Sequence, residues 1–125
     1  MGFVYTIDAP SKMIHVKWDG TFILPEVNAS LDRMYSDPSY DPLFSGIADV
    51  RAASFEMNHE QMVEHHDFIS GHKGCPFGPW AVVCETPNET ALTLLYEKLK
   101  PRHPVRVFST MEAARAWLSH IRPNS

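Results

Sequence analysis

The sequence predicts an α/β domain: a mixed, mainly parallel five-stranded sheet with helices packed on it, in the order β-β-α-β-α-β-α-β-α. Three observations carry this. The chain opens with two runs of alternating apolar and polar residues joined by a turn, the pattern of an antiparallel hairpin. Three further short apolar runs alternate with stretches whose apolar residues recur every three or four positions. Single helices between strands imply right-handed crossovers and parallel pairing. A length of 125 residues, 44% of them hydrophobic and 21% charged, suits one domain that buries its core without staples, so residues 1–125 are read as a single unit.

The first strand is placed at residues 3–8, where Phe3, Tyr5 and Ile7 share a side and Asp8-Ala9-Pro10-Ser11 makes a turn. The second covers Met13 to Trp18, with Ile14, Val16 and Trp18 on one side and His15 and Lys17 on the other. A helix follows, with Pro25 in its first turn, where a missing N–H costs nothing, and Val27, Leu31, Met34 and Tyr35 on its apolar face. Asp37-Pro38 ends it, and a second Asp-Pro at Asp41-Pro42 stiffens the loop that leads to a third strand at Ser45 to Val50.

After this strand a short loop is expected to run to Asn58, the cap of a second helix, with Gln61 completing a capping-box-like pair. Met62, His66 and Ile69 are assigned to its inner face and Gly71 to its end. Trp80 to Glu85 reads as a strand covered on both sides. A third helix starts at Thr86 or Asn88 and turns Ala91, Leu92, Leu95 and Leu99 inward. Val105 to Phe108 is the last strand, and Ser109 with Glu112 opens a final helix whose stripe is Ala113, Ala114, Trp117, Leu118 and Ile121.

The net charge of −4 argues against a nucleic-acid binder, which needs basic residues gathered on one face. The basic run from Lys98 to His103 suits a helix C-terminus instead. Cys75 and Cys84 form neither a disulfide framework nor a zinc motif, so a reducing cytoplasm is expected. Nowhere do about 18 apolar residues run together, and no export signal is read at the N-terminus.

Taken together, Trp18-Asp19-Gly20 closing the hairpin, the Asp37-Pro38 loop, Asp49-Val50-Arg51 and the closing segment from Val107 to Leu118 resemble the SpoIIAA-like family. That group is related in fold to STAS domains and to CRAL-TRIO lipid-binding domains. The resemblance covers nearly the whole chain and implies a bacterial, cytoplasmic protein without an assigned activity. In anti-sigma-factor antagonists the loop after the third strand carries a phosphorylated Ser or Thr in an Asp-Ser-Ser/Thr-Gly motif. Here the comparable stretch is Glu56-Met57-Asn58-His59-Glu60, and the nearest hydroxyl, Ser54, stands earlier without the motif around it.

In an open α/β sheet, ligands gather where a strand's carboxyl end meets the next helix, which makes residues 49–59 the first candidate site. Asp49 and Arg51 are expected to fix polar contacts there. Phe55 and Met57, in a loop with no strand or helix face to bury them, are expected as apolar anchors or a pocket rim, flanked by Ser54, Asn58 and His59. The richest titratable cluster, His59, Glu60, Glu64, His65, His66 and His72, lacks metal-ligand spacing. His59 and His66 are its weak metal candidates, and no metal or cofactor is expected. Cys75 is read as a bystander thiol with His72 near in sequence, and Cys84 as a small core residue.

The leading expectation is a non-enzymatic interaction or regulatory module that binds a protein partner, or itself as a homodimer, through the loop after the third strand. The alternative is a small apolar-ligand or lipid-binding domain with a pocket between helices and sheet. The two differ in what they demand of the structure: a loop-centred apolar patch without a deep cavity, or an enclosed apolar pocket.

Overall fold

A computed structural model describes residues 2–121. Its elements follow the expected order: β1 (Gly2–Asp8), β2 (Met13–Ile23), α1 (Leu24–Tyr35), β3 (Ser45–Glu56), α2 (His59–Gly71), β4 (Trp80–Val83), α3 (Pro87–Lys98), β5 (Val105–Phe108) and α4 (Met111–Ile121). The five strands lie side by side in chain order, β1 antiparallel to β2 and the remaining pairs parallel. Because every crossover advances the same way, α1, α2 and α3 share one face of the sheet. The other face is covered by α4 over β3, β4 and β5.

Alternation along the strands divides the core accordingly. Ile14, Val16 and Trp18 of β2, Val50 of β3 and Trp80 of β4 belong to the core that includes Val27, Met34, Met62 and Ile69 of α1 and α2. Ile47, Ala81 and Val83 face the other way, against Ala114 and Leu118 of α4. Among the described residues no helix covers this second face over β1 and β2, and Val4 there is 66% exposed.

Two strands outrun their predicted ends. β2 continues through Gly20, at φ 108°, to Ile23, and β3 continues to Glu56, so the supposed loop after Val50 is paired strand as far as Phe55↔Phe22 and Glu56↔Ile23. Lys17 pairs with Asp49 but Asp19 with Ala52, so β3 carries one extra residue there, a β-bulge. β4 is shorter than expected and stops at Val83.

The turns obey their local chemistry. Asp37 accepts from the Ser39 N–H at 2.8 Å and from the Tyr5 hydroxyl at 2.8 Å, which tie the first Asp-Pro loop to β1 and hold its carboxyl below the usual range. Asp41 accepts from the Leu43 N–H at 2.9 Å. Asn58 caps α2 as expected: its Oδ1 accepts from the Gln61 N–H at 2.8 Å, while Gln61 Oε1 accepts from the Asn58 N–H at 3.0 Å. The cap of α4 is Thr110 rather than Ser109, its hydroxyl accepting from the Ala113 N–H at 3.1 Å.

Inner faces of the helices differ in places from the periodicity reading. His65, not His66, is the buried histidine of α2, and Glu89 and Tyr96 are the buried residues of α3, whereas Ala91 lies exposed. In α4, Ala113 and Ile121 are exposed, because one helix over one half-face needs only a narrow stripe.

Candidate functional site

The helix layer does not close over the middle of the sheet. Ala48 in β3 and Val82 in β4, both at central positions on the helix side, stay partly accessible, although Ala81 and Val83 beside them on the other face are fully buried. Above them lies a cavity of about 150 Å³, open partway to solvent. Val27, Leu31 and Met34 of α1, Met62 and Ile69 of α2, and Leu92 of α3 form its apolar walls, and Trp18, Val50 and Trp80 line it from the sheet.

The β3 bulge shapes one end. Strict alternation from Val50 would turn Ala52 and Ser54 inward; the extra residue instead puts Ala53 and Phe55 on the helix side. Phe55 stacks on Phe22 with ring centroids 5.8 Å apart and meets Trp18 edge-on at 5.5 Å. Met57 and Met62 flank the Asn58 cap in the positions of a hydrophobic staple, and both line the cavity.

Five of the side chains with polar atoms that line this apolar space stand out. His65 Nδ1 donates to Asn28 Oδ1 at 2.8 Å, and burial, with His66 nearby, lowers its pKa to about 4. Glu89 is 4% exposed, and burial works to raise its pKa. The Thr86 hydroxyl, the Phe55 N–H at 3.0 Å and the Asn88 amide at 2.7 Å outweigh that and keep it below the ordinary value. Through the Phe55 N–H, the first turn of α3 is tied to the end of β3.

The other three are left without partners. Trp80 Nε1, the Tyr96 hydroxyl and His103 Nδ1 are buried side-chain atoms with no hydrogen bond, and all three residues line the cavity. The Tyr96 ring stands 5.9 Å from that of His103, and the Trp80 backbone N–H donates to Pro104 O at 2.8 Å, which holds the start of β4 beside the loop carrying His103. Burial raises the Tyr96 phenol and lowers His103 to about 4, so both are uncharged at neutral pH.

The residues expected to form one surface are divided between the two faces of the sheet. Asp49 lies on the α4 side, where Arg51 Nε and a terminal guanidinium nitrogen each donate to it at 2.9 Å, bridging the bulge and holding the Asp49 carboxyl low. Ser54 is exposed on that side, opposite Thr21. Phe55 and Met57 are half-buried in the cavity wall and are not loop residues without a face to bury. Asn58 is occupied as a cap, and His59 is exposed at the start of α2.

Among the described residues, no three His, Cys, Asp or Glu side chains are grouped to hold a metal ion. His72 is held by its own contacts: Nε2 donates to Asp32 Oδ1 at 2.8 Å and Nδ1 accepts from the Gly74 N–H at 2.8 Å. Its two nitrogens are thereby engaged away from Cys75, whose buried thiol has its pKa raised. Cys84 is likewise buried, and both thiols are free. His103, Glu89 and Ala48 are the site residues that the sequence reading missed. The spacing Met62-His65-Ile69 was the one available signal for His65.

No protein-family model matches this sequence, and no curated protein matches it. Among solved structures, the chain is similar to an uncharacterised protein of the DUF3478 family, with a SpoIIAA-like fold, from Shewanella loihica PV-4. The TM-score is 0.64 over 94% of this chain and 94% of that one, at 13% identity. The chain therefore has a SpoIIAA-like fold, the architecture that the sequence resemblance implied. At this identity the likeness speaks to fold alone.

Proposed function

We propose that this domain binds a small, largely apolar molecule in the cavity between its sheet and helices α1, α2 and α3. The observation that carries the reading is the void itself, about 150 Å³ at the point of the sheet where packing should be densest. An enclosed apolar cavity of this size takes up benzene; this one is open partway to solvent, which gives such a molecule a way in.

An interaction module built on residues 49–59 finds less support. Its apolar anchors, Phe55 and Met57, are committed to the cavity wall, and its charged pair, Asp49 and Arg51, is satisfied internally on the opposite face. Binding without turnover is the reading favoured by the titratable groups, since His65 and Glu89 are both engaged by protein partners. The free buried thiols suit a cytoplasmic setting. Among the described residues, no helix is long and apolar enough to cross a membrane.

Native mass spectrometry of the protein purified without additives, compared with the denatured spectrum, tests for a retained molecule. Benzene titrated into the isotope-labelled protein tests the emptied cavity. The expected result is an added mass that denaturation releases, or saturable shifts of the Ala48 and Val82 amide resonances. A clean apo mass together with no shift at saturating benzene would sink the reading.

A further inference from the structure

We infer that two copies of this chain associate edge to edge through β1, the two strands antiparallel with Val4 opposite Val4, so that their sheets become continuous. The inference is independent of the cavity, which no residue of β1 lines.

A strand at the border of a sheet presents a row of unpaired N–H and C=O groups, and proteins shield such edges by a short strand, a lysine, a proline, a bulge or a covering segment. β1 shows none of these among the described residues. It is a border strand seven residues long, pairs with β2 in unbroken register, and contains no Lys, Arg or Pro. Its single charge, Asp8, stands at its end. From Gly2 to Ile7 no backbone group bonds to a described residue outside β2. The opposite border, β5, is only four residues long.

An edge of this kind takes up another extended chain, and the side chains point to a second β1. On the helix side, the Arg33 guanidinium lies 5.6 Å from the centre of the Phe3 ring, and Asp37 accepts from the Tyr5 hydroxyl at 2.8 Å. A cation therefore stands over residue 3 and an anion over residue 5. Among the described residues Arg33 makes no ion pair of its own. With Val4 on the twofold axis, Phe3 of each copy faces Tyr5 of the other. Side chains directly opposite are about 5 Å apart, so each Arg33 comes beside Asp37 of the second copy, twice by symmetry. Centring Tyr5 instead would bring the two Asp37 carboxylates together, and centring Phe3 would do the same to the two Arg33 side chains. On the other face Val4, 66% exposed, meets its own copy and leaves water.

The paired span, residues 2–6, is short, so the association is weak and depends on concentration. Sedimentation equilibrium of the full chain up to about 1 mM is expected to show the mass rising from 14.2 kDa towards twice that value. Val4→Lys sets like charges face to face on the axis at a position already exposed. It should hold the protein at the monomer mass with its melting temperature unchanged. Arg33→Glu, at an exposed position of α1, should weaken the dimer about tenfold, and it decides the matter if Val4→Lys loses its fold. Val4→Cys treated with oxidised glutathione should cross-link the copies, because directly opposed Cα atoms about 4.5–5.5 Å apart are within disulfide reach. Thr6→Cys should not, since Thr6 faces Gly2 in this register and the two Thr6 positions are about 14 Å apart along the strands.

A mass that stays at 14.2 kDa throughout would overturn the inference. So would a dimer that Val4→Lys and Arg33→Glu leave intact, which would place the contact elsewhere, or a cross-link that forms as readily in Thr6→Cys as in Val4→Cys.

Discussion

Phe55 stands directly opposite Phe22 in the β2–β3 pairing, their rings stacked at 5.8 Å, only because an extra residue in β3 resets the alternation between Asp49 and Ala52. The bidentate Arg51–Asp49 pair spans that bulge on the other face. A one-residue slip in a strand exchanges its two faces, so the bulge decides that Phe55 lines a cavity and Ser54 meets solvent.

Phe55→Ala is therefore expected to behave as a loss of wall, not of an exposed surface anchor. A fully buried Phe→Ala costs about 3–5 kcal/mol, and the half-buried ring here should cost about 2 kcal/mol. Urea unfolding measures it. A loss below about 0.5 kcal/mol would mean that the ring contributes as surface residues do and that its contacts with Phe22 and Trp18 are not maintained in solution.

Stability should fall as pH drops from about 6.5 towards 4. His65 and His103 are held near pKa 4 by burial, against the ordinary 6.5. The folded state keeps them neutral through this window while the unfolded state takes up protons, so protons favour unfolding. The effect is absent above about 6.5 and levels off below 4. Each group accounts for on the order of 3 kcal/mol at the lower limit. Urea midpoints at pH 7.5 and 4.5 report the loss, and His103→Phe should flatten the profile. A midpoint unchanged between those values would contradict the burial of both rings.

The fold was legible because its signals are local and agree with one another. The hairpin alternation of residues 3–18, the Asn58–Gln61 cap and the periodicity of Val27, Leu31, Met34 and Tyr35 each specify an element without knowledge of the rest. The site was not, because it depends on an exception to periodicity and on an absence. The bulge breaks the period-two reading at Val50, which made Phe55 look like loop. The cavity over Ala48 and Val82 is lined by residues of three helices and three strands, a juxtaposition that no local spacing records. Glu89 escaped for a related reason: on α3 the buried side includes a carboxylate, and an apolar-stripe reading passes over it.

Ala48→Val tests the void directly. In a tightly packed core the added carbons would force strain costing about 1–3 kcal/mol. Over a cavity floor, each buried methylene should instead gain about 0.8 kcal/mol, so a higher melting temperature is expected, with weaker benzene binding. Valine also suits a strand position better than alanine does. That bias is separated out by Ala52→Val, at an exposed position of the same strand. A stability loss in Ala48→Val would show that the space is already filled.

Gly46 carries the last prediction. It pairs with Trp80 across β3 and β4, and a β-carbon added there would lie 2.4 Å from three atoms of the indole ring. In a close-packed interior that overlap would have no relief. Here the ring borders the cavity, so in Gly46→Ala it is expected to tip into the void. The change should then cost only about 1–2 kcal/mol while abolishing benzene binding, since the moved indole occupies the ligand's volume. Urea unfolding and the Trp80 indole resonance measure the two effects on one sample. Binding that survives unchanged would mean that the indole and the cavity are not coupled through Gly46.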